Sequence, residues 1–334
     1  MGGRLARILR FIILAMSYEL RDKRILITGG AGFLGSFVVE KLLQRGARRE
    51  NLRIPRSKDC DLRVWQNCVR AVDGIDIVIH LAARVGGIGF NMKYPAELFY
   101  DNAIMGIQLM EAARQSGVEK FVAVGTVCSY PKFTPVPFRE EDFWNGYPEE
   151  TNAPYGIAKK MFLVQAESYR KQYGFNAIYL IPVNLYGPRD HFDPEDAHVV
   201  PALIVKFFDA KIKGEKRVIA WGTGNASREF LYVEDAAEGI VLATEKYKGT
   251  EPVNIGSGRE ISIRDLVYLI RDIVGYTGEI IWDTSRPDGQ PKRRLDTSRA
   301  KLEFGFEAKT PFEEGLCRTV NWYRENVLYL RGGN

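Results

Sequence analysis

Tyr155 and Lys159 stand four residues apart in Thr-Asn-Ala-Pro-Tyr-Gly-Ile-Ala-Lys, a spacing that puts both side chains on one helical face, about one turn apart. An ammonium beside a phenol favours the phenolate and draws the tyrosine's acidity toward neutrality. Such a pair can give or take the proton of a carbonyl or hydroxyl oxygen. The pattern is short and arises by chance, so its meaning depends on the elements that position it. Asn152 is placed to cap the helix and Pro154 suits its first turn, which predicts a helix beginning here.

Upstream, Lys23-Arg-Ile-Leu-Ile-Thr28 is an apolar run of the kind that forms a buried parallel strand. Gly29-Gly-Ala-Gly32-Phe33-Leu34-Gly35 follows at once, and then the helical pattern from Ser36 to Leu43. Glycines at 29, 32 and 35 permit a tight turn, close approach of backbone to a pyrophosphate, and close packing of helix on strand. Further strand patterns at Ile75–Leu81, Lys120–Val124 and Ala177–Ile181 alternate with helical patterns at Leu98–Ser116 and Tyr155–Tyr173. This alternation predicts an α/β fold, a Rossmann-type doubly wound parallel sheet covered on both faces. Ligands then gather at the carboxyl ends of the strands.

After Tyr186-Gly-Pro the chain turns polar, with Asp190, Asp193, Glu195 and Asp196 close together, and a smaller C-terminal substrate-binding lobe is expected to start there. Val253-Asn-Ile reads as a late return to the sheet. The expected division is 23–188 with about 229–258 for the dinucleotide domain, and about 189–228 with 259–334 for the lobe. Residues 1–22 carry Arg4, Arg7 and Arg10 before Phe11–Met16, an apolar run too short to span a bilayer, and are set outside the fold as a surface helix or a mis-assigned start.

The 334 residues are 46% hydrophobic, enough for one large core, and carry a net charge of +5. That excess is spread along the chain, which suits anionic small ligands and argues against nucleic acid. Cys60, Cys68, Cys128 and Cys317 follow neither a metal-ligand nor a secreted-disulfide spacing, so no metal and a reducing cytoplasm are expected. A dinucleotide enzyme that uses NAD commonly ends its second strand with a carboxylate for the ribose 2′-hydroxyl. Here Asn51-Leu-Arg-Ile-Pro-Arg-Ser-Lys58 has no acid. Arg53, Arg56 and Lys58 can instead neutralise a 2′-phosphate, which favours NADP(H) and leaves NAD as the alternative.

Together, Thr28–Gly35, His80-Leu-Ala-Ala83 and Tyr155-x-x-x-Lys159 resemble the extended short-chain dehydrogenases/reductases from about Arg24 to about Tyr323. Within them the chain is similar to the GDP-L-fucose synthases. More specific segments carry that likeness: Arg84–Asn91, Val127–Lys132, Pro182–Pro188, His198–Leu203, Trp221–Gly224, Arg228–Leu231 and Pro287–Gly289. The resemblance implies inversion of C3 and C5 of a GDP-linked 4-keto-6-deoxymannose, followed by NADPH-dependent reduction of C4. It also implies a homodimer with no membrane attachment.

By the same resemblance Tyr155 donates the proton at O4, Lys159 holds the ribose, and Thr126 bonds the same oxygen where many members have serine. Cys128 matches the epimerisation base and His198 the acid. Asp61 and Leu62 meet the adenine edge, and Leu81, Ala82, Ala83, Pro182, Asn184 and Leu185 line the cofactor. Val85, Gly86, Asn184, Lys206, Trp221, Arg228, Asp288 and Arg293 belong to the substrate side. His80 is expected to pack or to hold a loop. The rival enzyme is a nucleotide-sugar epimerase with tightly bound NAD and no net redox change, such as a GDP-mannose 3,5-epimerase. A non-catalytic nucleotide-binding scaffold is a third reading, disfavoured because Tyr155 and Lys159 are both present.

Overall fold

The computed structural model describes residues 20–193, 196–285 and 292–329, so nearly all of the N-terminal extension lies outside the described residues. The strands are β1 (Ile25–Thr28), β2 (Leu52–Arg53), β3 (Ile77–His80), β4 (Lys120–Val124), β5 (Ala177–Pro182) and β6 (Asn184–Tyr186). They continue as β7 (Arg217–Trp221), β8 (Ser227–Tyr232), β9 (Val253–Ile255), β10 (Glu260–Ser262) and β11 (Glu279–Asp283). The helices are α1 (Phe33–Gln44), α2 (Trp65–Val72), α3 (Ile88–Lys93), α4 (Pro95–Gln115) and α5 (Ala153–Tyr173). After them come α6 (Val199–Lys213), α7 (Val233–Lys246), α8 (Ile263–Val274), α9 (Ser298–Phe304) and α10 (Phe312–Tyr323).

Six strands form one sheet in the order β2-β1-β3-β4-β5-β9, parallel throughout. Every residue of β1, β3, β4 and β5 is buried. Helices cover both faces of such a sheet, so these strands are continuous apolar runs rather than alternating ones. The chain leaves β1 toward β2 and returns on the other side at β3, and that reversal opens a crevice at the carboxyl ends of β1 and β3. The late return expected at Val253 is β9, paired with β5.

A buried lysine fastens the far end of this sheet. Lys120 is wholly buried, and its Nζ donates to the carbonyls of Ala243, Thr244 and Tyr247 at 3.0, 2.6 and 2.7 Å. These groups belong to the end of α7 and its cap residue, where the last carbonyls of a helix take up such a donor, while burial pushes the lysine down to about 7.

The remaining strands make two small sheets, β10-β8-β6 and β11-β7. A second apolar cluster, including Phe207, Phe208, Leu266, Ile270, Val320 and Tyr323, joins α6, α8 and α10. The helix expected at Leu98 begins earlier, at Pro95, whose missing N–H suits a first turn. No described helix is long and apolar enough to cross a membrane.

Gly35 shows how tightly α1 sits on β1. A Cβ there would lie 2.1 Å from the Gly29 carbonyl oxygen, a backbone atom that cannot turn aside. Gly35→Ala should therefore cost about 1–3 kcal/mol through forced separation of helix and strand. A fall in the urea midpoint with weakened dinucleotide binding is expected, and an unchanged midpoint would contradict this packing.

Candidate active site

The crevice widens into a cleft of about 1750 Å³ that runs from the glycine turn after β1 to the second apolar cluster. Gly29 holds φ +71°, which only glycine adopts without strain, and its carbonyl accepts from Gly32 N–H at 2.9 Å. The turn delivers the chain to the start of α1. No side chain caps this helix end and no acid stands in its first turn, so its N–H groups and dipole face the cleft as an anion site. Thr28 supports the floor: its hydroxyl lies 2.8 Å from His80 Nδ1 and accepts from Ala82 N–H at 3.3 Å. Burial holds the His80 imidazole well below the usual histidine range, a packing and loop-holding role as expected.

Beside the turn, Arg56, Lys58, Asp61 and Leu62 line the cleft. Asp61 faces Arg63, which donates to it at 2.8–3.1 Å and holds its carboxyl below the usual range. Arg53 departs from the expectation. Its Nη1 donates to the carbonyls of Arg70, Ala71 and Asp73 at 3.2, 3.0 and 2.8 Å, so it closes the end of α2 instead of facing the cleft. Leu81, Ala82 and Ala83 follow β3, Pro182 ends β5, and Asn184 and Leu185 begin β6; all six line the cleft, as do Phe33, Leu34, Val85 and Gly86.

The side chains expected to react come from two segments bonded to each other. Tyr155 and Lys159 lie on the first turns of α5 and face the cleft. Asn152 does not cap this helix: its Nδ2 donates to Glu149, and its Oδ1 accepts from Asn91 Nδ2 at 3.2 Å. Thr126 ends the loop after β4, and its Oγ1 accepts from Cys128 N–H at 3.2 Å, shaping a 3-10 turn at Val127–Ser129. Ser129 Oγ donates to the Gly156 carbonyl at 2.8 Å. Lys160, to which sequence reasoning assigned no role, also binds this turn. Its buried Nζ donates to the carbonyls of Ser129, at 3.4 Å, and of Phe143, beneath the rings of Phe143 and Trp144.

The electrostatics correct one expectation. The Tyr155 phenol is not drawn toward neutrality; burial, with the charges of Cys128 and Tyr179, pushes it well above the ordinary tyrosine value. Lys159 responds instead. Its side chain is 2% exposed, its Nζ lies 5.1 Å from the centre of the Phe162 ring, and burial pushes it down to about 7.

On the opposite wall, His198 stands at the start of α6 and opens into the cleft. The enclosing protein and the charge of His191 lower its imidazole, while Asp196 opposes them. Lys206 donates to the Ile219 carbonyl at 3.0 Å and faces the Trp221 ring, which is largely exposed. Arg228 and Arg293 reach the same space from β8 and the segment after β11, and Arg293 Nη1 donates toward Cys128 Sγ at 3.7 Å. Asp288 lies outside the described residues. Glu229 is the second residue that the sequence left without a role. Wholly buried, it accepts from the N–H groups of Ser257, Gly258 and Leu295 at 2.5, 2.8 and 2.6 Å, and so fixes Arg228 and Arg293 on either side. The signal was present as an acid inside an apolar strand next to an arginine.

Lys159 carries a test of sign. Its folded value of about 7 lies below that of a free lysine, so between those values the unfolded chain holds more protons and stability rises with pH. Below about 7 both states are charged and the full burial cost remains. Lys159→Met should therefore raise the melting temperature of the cofactor-free protein at pH 6 and flatten part of its rise above neutrality. Melting curves that keep the parent's pH slope would contradict this.

Residues 25–256 match the model of the NAD dependent epimerase/dehydratase family. The chain is 40% identical over 315 residues to the GDP-L-fucose synthase of Sinorhizobium fredii, covering 93% of this chain and 98% of that one. Among solved structures, a GDP-L-fucose synthetase from Naegleria fowleri bound to NADP superposes with a TM-score of 0.82 at 30% identity, over 93% of this chain and 97% of that one. A GDP-6-OMe-4-keto-L-xylo-heptose reductase from C. jejuni superposes with a TM-score of 0.85 at 27% identity, over 91% and 98%. The glycine turn, the Tyr155/Lys159 helix and these likenesses agree: the chain belongs to the NAD dependent epimerase/dehydratase family, in the branch that holds the GDP-L-fucose synthases.

Proposed function

We propose that the protein converts GDP-4-keto-6-deoxymannose to GDP-L-fucose, inverting C3 and C5 and reducing C4 with NADPH. The observation that carries this reading is the meeting of Cys128 and His198 in one cleft with Tyr155, Lys159 and the dinucleotide cradle. A simple C4 epimerase needs no base for C3 or C5. An epimerase that keeps its NAD is disfavoured by the acid-free end of β2, where Arg56 and Lys58 suit a 2′-phosphate.

The cradle at Gly29–Gly35 fits a pyrophosphate, and bound NADPH supplies hydride to C4. The rest falls to this chain's own residues. The ketone at C4 makes the protons at C3 and C5 acidic, because the electron pair left by either can pass into O4 as an enolate. Cys128, as thiolate, takes the proton, and His198 returns one to the opposite face of that carbon; the thiol then gives its proton to solvent and the imidazole takes one up before the second carbon is inverted. The imidazolium this requires is opposed by burial and by His191 and favoured by the Asp196 carboxylate. Thr126 and Tyr155 donate to O4 as its charge grows. When C4 is reduced, Tyr155 gives O4 its proton. A phenol that burial keeps protonated is a ready donor for that step.

The parallel sheet and its helices would hold the dinucleotide, and the part built on α6, α8 and the two small sheets the nucleotide sugar. A homodimer through α4 and α5 belongs to the same reading; Phe99 and Tyr100 on one, and Val164 and Tyr173 on the other, are exposed. The four free cysteines suit a reducing cytoplasm.

Purified protein should oxidise NADPH when given GDP-4-keto-6-deoxymannose, and stable NADPH with unreduced substrate would sink the proposal. Tyr155→Phe should lower reduction by about 100-fold or more while exchange at C3 and C5 persists. Cys128→Ala should slow that exchange by a similar factor, and undiminished exchange removes Cys128 from the mechanism. Arg56→Ala should raise KM for NADPH by roughly tenfold and leave that for NADH nearly unchanged.

A further inference from the structure

We propose that Arg293 is the counter-charge of Cys128, holding the sulfur as the thiolate that takes the C3 and C5 protons; this rests on the reading of Cys128 as the base. Three observations support it. Arg293 is 7% exposed, its Nη1 lies 3.7 Å from Cys128 Sγ, and its Nε is buried without a hydrogen-bond partner. Among the described residues no carboxylate pairs with it. A guanidinium keeps its charge when buried, and a buried charge needs a compensating one. The nearest group able to supply it is the thiol, whose anion is also the form that acts as a base.

The contact joins two fixed segments. The Arg293 carbonyl accepts from Glu229 N–H at 2.9 Å, and the Glu229 carboxylate accepts from Leu295 N–H at 2.6 Å, which ties this stretch to β8. The Cys128 turn is tied to α5 through Ser129 and Gly156. In the proposed step the thiolate removes the carbon-bound proton. In that step the C–H bond breaks, S–H forms, and the electron pair passes into the enolate with its charge on O4. The negative charge leaves the sulfur as it reaches the substrate.

The alternative role for Arg293, reception of the substrate's diphosphate alone, predicts no effect on the thiol when substrate is absent. The test therefore uses substrate-free protein. Alkylation of Cys128 by iodoacetamide is followed by peptide mass spectrometry, which separates it from Cys60, Cys68 and Cys317, across about pH 6 to 9. Arg293→Met should slow alkylation at neutral pH by about tenfold or more and move its pH profile to the alkaline side. Arg293→Lys should restore most of the rate, with NADPH binding by fluorescence confirming that each variant is folded. A folded Arg293→Met protein that alkylates at the parent rate across that range overturns the proposal. Because no sugar nucleotide is present, this result is separate from any failure of the substrate assignment.

Discussion

Everything proposed for this cleft depends on the docking of the Cys128 turn against the first turns of α5. Thr126 Oγ1 bonds Cys128 N–H, Ser129 Oγ bonds the Gly156 carbonyl, and Lys160 reaches from the same helix to the Ser129 and Phe143 carbonyls. A Cβ at Gly156 would lie 2.4 Å from the Cys128 carbonyl oxygen, so the two segments meet backbone to backbone. Tyr155 and Lys159 are therefore held in a set relation to Thr126 and Cys128. Groups read as reducing C4 and groups read as opening C3 and C5 cannot drift apart.

The parallel sheet supplies the other half of that geometry. Its reversal between β1 and β3 opens the crevice, and the glycine turn brings the bare end of α1 to it. The opposite wall, with His198, Lys206 and Trp221, stands on α6 and β7. Glu229, on β8, ties the Ser257–Gly258 loop to the segment bearing Arg293 through three backbone N–H groups, and burial pushes its carboxyl up to about 7. Such a group is costly to bury and is kept only where its bonds are complete.

Much of this was legible in the residues. The strands at Lys120 and Ala177, the helix bearing Tyr155, and the late strand at Val253 follow from local pattern, because fully buried parallel strands announce themselves as apolar runs. What escaped was decided by contacts distant in sequence. Arg53 looked like a phosphate ligand, yet the end of α2 lies within its reach and takes its N–H groups. Asn152 had the right type for a cap, but Asn91 and Glu149 compete for its amide. The acidity of Tyr155 could not follow from spacing, because burial raises the phenol and lowers the lysine that was to tune it. Lys160 escaped as a positioning residue because its partners are backbone carbonyls, which carry no sequence signal, and Glu229 gave only the hint of an acid within a strand, without its backbone partners.

The central claim is that one site both inverts two carbons and reduces a third. It is tested most directly by turnover of GDP-4-keto-6-deoxymannose with NADPH in deuterium oxide, followed by NMR of the sugar product. The account predicts a product of the L configuration, with deuterium at C3 and C5 and protium from the cofactor at C4. A reduced sugar with the starting configuration and no deuterium at C3 or C5 would contradict it.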